Sequence, residues 1–415
     1  MKAKKIELLS PAGSFDCLQA AINAGATAVY FGVEQLNMRT RSSNSFSQND
    51  IAEISAICKR AGIRSYITLN TVMYEHDMQL LEAILIKVKK HGIDAVIASD
   101  FAVIAYCDEL KIPVHISTQA NVSNIEAVQF YSRYADVVVL ARELTLKQVE
   151  HICNEIKRRK IKGISGELLK IEIFIHGALC MAVSGKCYLS LHSQNASANR
   201  GACIQNCRRT YTVTDTETNE SLLIDNEYIM SPKDLCTINI LDQVVDSGVS
   251  VLKIEGRSKG ADYVFATTQC YREALESIDD NSYTHEKIIG WQQQLSAVYN
   301  RGFWEGYYLG RKMGEWTPYP GSVATEKKVY IGRGSKYYPN INVGEFIIES
   351  GSVKSGDTIM ITGPEIGFIK ERTGALMVNG SRNTSATKGD KITLRLDKKI
   401  TARDKLYKIV ETVNG

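Results

Sequence analysis

The run Ile6-Glu-Leu-Leu-Ser-Pro-Ala-Gly-Ser-Phe-Asp-Cys-Leu-Gln-Ala-Ala-Ile-Asn-Ala-Gly-Ala-Thr-Ala-Val-Tyr-Phe-Gly32 holds the pattern that decides the fold. An apolar run at 6–9 leads through a turn into an amphipathic stretch at 15–24, then Gly25, then a second apolar run at 28–31. Short, nearly continuous apolar runs rich in β-branched residues read as parallel strands buried on both faces. A glycine after an amphipathic stretch supplies the left-handed residue on which helices end. The rhythm recurs. Apolar runs fall at 65–69, 95–98, 114–117 and 137–140, and helix-like segments at 50–61, 78–91, 100–110, 124–135 and 145–159, two of them closed by Gly62 and Gly92. Two more strands are expected at 170–175 and 249–254, the second after a helix-like segment at 231–248. Eight such units over roughly 250 residues predict an α/β fold, a (β/α)8 TIM-like barrel. A doubly wound open sheet is the competing arrangement. Against it, no Gly-rich phosphate fingerprint follows the first strand, where Ser10-Pro-Ala-Gly-Ser14 is only a tight turn.

The seventh connection breaks the rhythm. It runs from about 177 to 230, far beyond the few residues such loops normally need. In barrel enzymes these loops build the active face, so a long seventh loop is where chemistry is expected. The barrel with its insertion is assigned to 1–278. A connector at 279–320 contains a helix-like segment and the aromatic, Gly-rich Asn300-Arg-Gly-Phe-Trp-Glu-Gly-Tyr-Tyr-Leu-Gly310. From 321 to 415 short alternating runs separated by Gly turns, at 346–348, 358–361, 392–396 and 405–410, predict a small all-β barrel module.

The 415 residues are 44% hydrophobic and 23% charged, which suits a globule with a sizeable core. No apolar run approaches the roughly 18 residues that cross a bilayer, so no membrane partner is expected. The basic start Met1-Lys-Ala-Lys-Lys5 leads into a strand and not into the apolar core of a secretory leader, so a cytoplasmic location is expected. Residues 323–415 hold 16 Lys+Arg against 10 Asp+Glu, so this part carries +6 of a chain whose net charge is +4. A basic terminal module is compatible with an anionic partner such as RNA, although a solvated surface explains the charge as well.

Ten cysteines are present. Cys17, Cys58, Cys107, Cys153 and Cys270 are scattered singly through helix-like segments and read as small buried apolar residues. Cys180, Cys187, Cys203 and Cys207 all fall in the long seventh connection. Soft thiolates at such spacings come together at little loop-closure cost and suit a tetrahedral zinc or an iron–sulfur cluster. Zinc knuckles space their cysteines by about two to four residues, and the gap from Cys180 to Cys187 is wider. Glycines at 177, 185 and 201 would let backbone approach a bulky inorganic core. Spacing thus favours a cluster over zinc, with ordinary structural thiols as the third reading. Cys236, on the next helix-like segment, is a core residue and the reserve ligand. His176, just past the seventh strand, is a catalytic candidate or a satisfied structural histidine; His115, inside a strand run, reads as core.

The stretch Glu172-Ile-Phe-Ile-His-Gly-Ala-Leu-Cys180-Met-Ala-Val-Ser-Gly-Lys-Cys187-Tyr-Leu-Ser190 resembles the signature of the collagenase-like peptidase family of unassigned catalytic type. Leu8-Leu-Ser-Pro-Ala-Gly13, Ala28-Val-Tyr-Phe-Gly32, Ser117-Thr-Gln-Ala-Asn121, Leu140-Ala-Arg-Glu-Leu144, Arg200-Gly-Ala-Cys203, Lys253-Ile-Glu-Gly-Arg257 and Asn300-Arg-Gly-Phe-Trp304 add to the resemblance, which spans about 5–320. The family includes prephenate-dependent tRNA wobble-uridine hydroxylases that make 5-hydroxyuridine, and a ubiquinone-ring hydroxylase pair carrying four-iron four-sulfur clusters. The resemblance therefore implies a cluster on Cys180, Cys187, Cys203 and Cys207. The Asn300–Trp304 piece and the added β module are similar to the tRNA-hydroxylase branch. The module itself, with Lys354-Ser-Gly-Asp357, Ile361-Thr-Gly-Pro364 and Lys388-Gly-Asp-Lys391, resembles the second-domain β-barrel of translation factors.

Three functions compete. The resemblance implies a tRNA hydroxylase acting on the anticodon loop with prephenate as required metabolite. The family's older label implies a peptidase, yet the chain has neither His-Glu-x-x-His nor Gly-x-Ser-x-Gly, and a His176–Cys180 dyad competes with the ligand role of Cys180. A non-catalytic RNA-binding protein would not need cysteines at the active face, and hydroxylation of a free aromatic ring remains an alternative substrate class. Prephenate carries two carboxylates, and arginine forks match carboxylate geometry. Arg142 after the sixth strand and Arg257 after the eighth are the expected clamp, with Glu143, Lys253 and Glu255 as candidates for proton transfer or for orienting the arginines. The competing reading is a pair of structural ion pairs, Arg142 with Glu255 or Arg257 with Glu143.

Overall fold

The computed structural model describes residues 6–412 apart from 35, 39–45, 213, 220–229, 312 and 320. The basic residues 1–5 and part of the expected insertion, at 213 and 220–229, lie outside the described residues.

The strands are β1 Glu7–Pro11, β2 Ala28–Gly32, β3 Arg64–Leu69, β4 Ala95–Ala98, β5 Val114–Ile116, β6 Val137–Val139, β7 Lys170–Gly177, β8 Asp234–Cys236, β9 Val251–Ile254 and β10 Phe303–Trp304. From β1 to β7 each strand pairs in parallel with the next. β9 pairs in parallel with both β7 and β1 and closes the ring. The expected eight-stranded parallel β/α barrel is therefore the fold. Apart from the exposed first residues of β3 and β7, its strands are buried along their whole length, which is why they lack polar alternation.

Helices pack around the ring. The one after β6 shows how sequence makes them. Thr145 accepts from the Gln148 amide and Gln148 reaches back, forming a capping box. Leu146, Val149, Ile152, Cys153 and Ile156 then fall on one buried stripe of Leu146–Arg159. Each such aliphatic side chain contributes about 1.5–3 kcal/mol on burial, so Ile152→Asp would detach the helix. Gly62 and Gly92 end their helices in the left-handed conformation at φ +67°, as expected.

Two readings need correction. Residues 231–248 are not one helix: β8 occupies Asp234–Cys236, and the helix is only Leu241–Asp246. β8 runs antiparallel to the end of β7, with His176 opposite Cys236, and β10 extends it in parallel. A tertiary partner thus overrides local helical composition. β7 also continues to Gly177, so His176 lies within the strand and not beyond it.

The connector supplies β10 after the helix His285–Ala297. The C-terminal region is all β. Its eight-stranded antiparallel sheet is built around the long β11, Glu326–Tyr338, and has its own core including Ile331, Phe346, Ile359, Ile361 and Leu406. It docks on the barrel's helices. Asn23 Nδ2 donates to Ile366 O at 2.9 Å, and the rings of Phe265 and Phe368 lie 4.7 Å apart.

Candidate active site

One cavity of about 290 Å³ sits at the C-terminal end of the barrel strands under the long seventh loop. Cys180, Cys187, Cys203 and Cys207 line it together with Arg142, Lys253, Glu255 and Arg257. All ten cysteines are free thiols. The loop carrying the four is a short helix, Leu189–Gln194, flanked by turns. Ser190 Oγ accepts from the Ile204 amide at 3.0 Å, which ties the Cys187 end of the loop to the Cys203 end. Burial pushes the Cys207 thiol up; Arg208 beside it pulls the other way, and the proximity of Cys180, Cys203 and Cys187 pushes it further up. Arg208 is fixed by its donations to Leu179 O at 2.6 Å, Pro232 O at 2.6 Å and Ser231 Oγ at 3.1 Å.

Among the described residues no three of His, Cys, Asp or Glu converge closely enough to hold a single metal ion. Cys180, Cys187, Cys203 and Cys207, with the half-buried Arg208 beside them, are the soft donors that would hold a thiolate-ligated metal group at this cavity. Cys236 is elsewhere. It is buried in β8, receives Tyr271 Oη at 3.9 Å, and burial pushes its thiol up to about 11.

The arginines occupy the expected face. Arg142 stacks on Phe174 with its guanidinium carbon 4.0 Å from the ring centroid, and Nη1 donates to Ala178 O at 3.0 Å. Its Nε is buried without a hydrogen-bond partner. Arg257 is buried, and Nη1 donates to Thr68 Oγ1 at 2.6 Å and Asn37 Oδ1 at 3.2 Å. The backbone permits this only because residue 13 is glycine: a Cβ there would lie 2.0 Å from Arg257 O. Gly177, at φ +105°, is constrained likewise, its Cβ falling 2.3 Å from Glu255 O.

Lys253 is buried, paired to Glu172 at 2.7 Å, and its ammonium lies 4.6 Å from the Tyr30 ring centroid. Glu255 Oε2 accepts from Tyr30 Oη at 3.2 Å. Two sequence candidates are not brought to this cavity. Glu143 is exposed and lines a neighbouring pocket of about 160 Å³ with Asn121, Trp304 and Trp316. His176 is enclosed by the rings of Tyr263, Tyr271 and Phe303, with Tyr271 Oη 3.4 Å from Nδ1, and burial drives its pKa down to about 3. It is a neutral core histidine. Arg142 and Glu143 form a turn after β6, and of the two only Arg142 lines this cavity.

Sequence reasoning missed Tyr30, Asn70, Gln119 and Phe174, which also line the cavity, and Glu172 beneath it. Asn70 Nδ2 donates to Gln119 Oε1 at 2.9 Å, leaving an amide edge at the wall. For Tyr30, Phe174 and Glu172 the signal was available, as polar or aromatic residues at inward positions of otherwise aliphatic strands; Asn70 and Gln119 lie in the segments that follow β3 and β5.

Residues 13–318 match peptidase family U32. A collagenase of Porphyromonas gingivalis is 50% identical over 408 residues, covering 98% of this chain and 99% of that protein. The tRNA hydroxylation protein P1 of Bacillus subtilis is 30% identical over 372 residues, covering 88% of this chain and 85% of that protein. The 23S rRNA 5-hydroxycytidine C2501 synthase of Escherichia coli is 36% identical over 282 residues, covering 67% of this chain and 40% of that protein. With three-quarters of its length inside the family's boundaries and relatives this similar along most of both chains, the protein belongs to peptidase family U32.

Proposed function

We propose that this chain is an RNA-modifying enzyme that hydroxylates a pyrimidine, the wobble uridine of tRNA becoming 5-hydroxyuridine, with prephenate as required metabolite and a four-iron four-sulfur cluster held by Cys180, Cys187, Cys203 and Cys207. The observation that carries the reading is that one cavity is lined at once by the four cysteines, two arginines, Lys253 and Glu255. The relatives named for tRNA hydroxylation and rRNA 5-hydroxycytidine synthesis support this reaction class.

A bound cluster supplies one-electron redox chemistry. The chain's own residues do the rest. Arg142, braced on Phe174, and Arg257, braced by Thr68 and Asn37, present fixed cations to a dicarboxylate. Tyr30 and Phe174 hold Lys253 and Arg142 in place through cation–π contacts, and the Asn70–Gln119 pair offers a base an amide edge. Glu255, hydrogen-bonded to Tyr30, is a carboxylate at the cavity wall able to accept a proton from the substrate.

The collagenase-named relative at 50% identity favours a second reading, peptide hydrolysis. A Cys180–His176 dyad does not support it, because His176 is walled off by aromatic rings. The discriminating experiment incubates anaerobically purified protein with prephenate and either unmodified tRNA, denatured collagen or a ubiquinone precursor. The proposal expects 5-hydroxyuridine from the first and no change in the others. Arg142→Lys and Arg257→Lys keep the charge but remove the fork, so both should lower tRNA hydroxylation at limiting prephenate. Collagen cleavage with unaltered tRNA would establish the peptidase reading.

A further inference from the structure

The pocket of about 160 Å³ beside the cysteine-lined cavity adjoins it directly: Thr118, Arg142, Cys180, Met181, Ala182 and Ser184 line both, so the two share a wall. The rest of its lining is of another kind. Trp304, Tyr307 and Trp316 supply three aromatic side chains, all from the connector. Trp304 and Tyr307 meet edge to face with ring centroids 5.3 Å apart, and Trp304 Nε1 donates to Lys233 O at 3.2 Å. The strip carrying Trp316 is tied to the chain just before β8: the Thr317 amide donates to Ser231 O, and the Lys233 amide to Glu315 O, each at 2.9 Å. The three rings converge on Gly314. A Cβ there would lie 3.4 Å from Tyr307 Oη, 3.6 Å from Trp304 Cη2 and 3.7 Å from Trp316 Cη2, so a residue without a side chain leaves the space between the rings open.

Two charged side chains line this pocket, Arg142 and Glu143, and their signs are opposite. The charges next to it, on Lys233, Glu305, Arg311 and Glu315, pair among themselves. Arg142 disfavours a cation, which removes the ammonium guest that aromatic rings with a carboxylate would otherwise take. Glu143 disfavours an anion. A neutral planar ring with donors and acceptors on its edge suits the pocket. Among the described residues neither the Glu143 carboxylate nor the side-chain amide of the half-buried Asn121 has a hydrogen-bond partner, so an acceptor and a donor are available beside the rings. A carboxylate takes an N–H, and an amide NH2 gives to a C=O. Uracil and guanine carry a ring N–H next to a C=O on their pairing edge; adenine and cytosine carry a bare ring nitrogen there, which Glu143 would repel. Stacking on aromatic side chains with hydrogen bonds to that edge is how proteins hold an unstacked base.

We infer that this pocket is a subsite for a second nucleobase, of the uracil or guanine type, next to the one that enters the main cavity; Trp304, Tyr307 and Trp316 stack it, and Glu143 and Asn121 read its edge. The inference rests on the proposed RNA substrate and adds that two neighbouring bases are unstacked into adjoining compartments.

The test titrates the intact protein with uridine monophosphate and follows tryptophan fluorescence. Two of the chain's three tryptophans line this pocket and none lines the main cavity. Saturable quenching is expected, with binding of the N3-methyl analogue, which lacks the N–H, weaker by about ten-fold or more. Glu143→Ala should weaken uridine monophosphate by a similar factor and leave the methyl analogue unchanged, so the two penalties do not add. Gly314→Leu, which puts a side chain among the rings, should abolish quenching by both nucleotides, with unfolding curves of both variants checking the fold. Absence of saturable quenching, equal binding of the two nucleotides in the wild-type protein, or quenching by tetramethylammonium in place of the nucleotide would overturn the subsite. Hydroxylation of tRNA at the wild-type rate by folded Gly314→Leu would also overturn it and leave the RNA reading standing. Nucleotide binding without any tRNA hydroxylation by the wild-type protein would sink the RNA reading, and with it the place of this pocket on an RNA strand.

Discussion

Replacing Lys253 by methionine tests the electrostatics beneath the cavity. The change keeps an unbranched stem in a buried slot and removes the ammonium that lies 2.7 Å from Glu172. Glu172 has no solvent exposure, so its carboxylate cannot recover hydration. The nearest replacement partner is His115, whose Nδ1 is 3.8 Å from Glu172 Oε2. Burial, with Lys253, Arg64 and Lys170 around it, drives the His115 pKa down to about 3, so that ring is neutral at neutral pH. Breaking a buried pair by removing one partner costs about 3–5 kcal/mol. At about 2.1 cal/mol/K of unfolding entropy per residue, a barrel of about 300 residues then loses roughly 5–8 °C of Tm. Removing both charges is different, because apolar pairs of similar volume replace buried ion pairs at little cost. Lys253→Met/Glu172→Leu should therefore recover most of the lost stability. The assay is thermal and urea unfolding followed by circular dichroism. A single variant within about 1 kcal/mol of wild type, or a double variant no more stable than the single, would refute the reasoning.

Other expectations follow from the same geometry. Gly177→Ala combines φ +105° with a Cβ 2.3 Å from Glu255 O, so it should cost at least about 1–2 kcal/mol and shift the strand end that carries Glu255; unchanged unfolding would contradict it. His115 and His176 both have folded pKa values lowered to about 3, below the unfolded value near 6.5. The unfolded chain then binds more protons between those values, so stability is complete above about pH 6.5 and falls on acidification by up to about 1.4 kcal/mol per pH unit for each ring. His176→Phe should flatten that slope between pH 6 and 4 in unfolding titrations. Protein purified without oxygen should be brown, with iron and sulfide in equal amounts. Ala at Cys180, Cys187, Cys203 or Cys207 should bleach it and Cys236→Ala should not; a colourless protein with stoichiometric zinc refutes the cluster.

The barrel was legible because its strands are buried on both faces and its helices carry their own caps and glycine stops. Ala95–Ala98 and Met78–His91 fall where periodicity put them. β8 was not legible: three residues are too few to show a period, and Asp234-Leu-Cys236 is a strand only because β7 and β10 lie beside it. β11 was missed for another reason. Much of Glu326–Tyr338 is exposed or charged, so its pairing with Val343–Ile348 and Lys405–Glu411 leaves little hydrophobic trace. At the site, Arg142, Lys253, Glu255 and Arg257 were found because strand ends of a barrel share one face. Glu143 lies outside the cavity, and of the two readings of His176 the structure bears out the satisfied structural histidine, because proximity in sequence does not fix the side on which a side chain emerges. Tyr30 and Glu172 went unseen because a polar group inside an apolar run looks like a packing detail until the barrel closes around it.

The central claim is that the cysteine-lined cavity modifies RNA. Nucleoside mass spectrometry of bulk tRNA from a strain lacking this gene tests it most directly. The account predicts loss of 5-hydroxyuridine and its derivatives, restored by the wild-type gene and not by a copy carrying Cys180→Ala. An unaltered nucleoside profile in the deletion strain would contradict it.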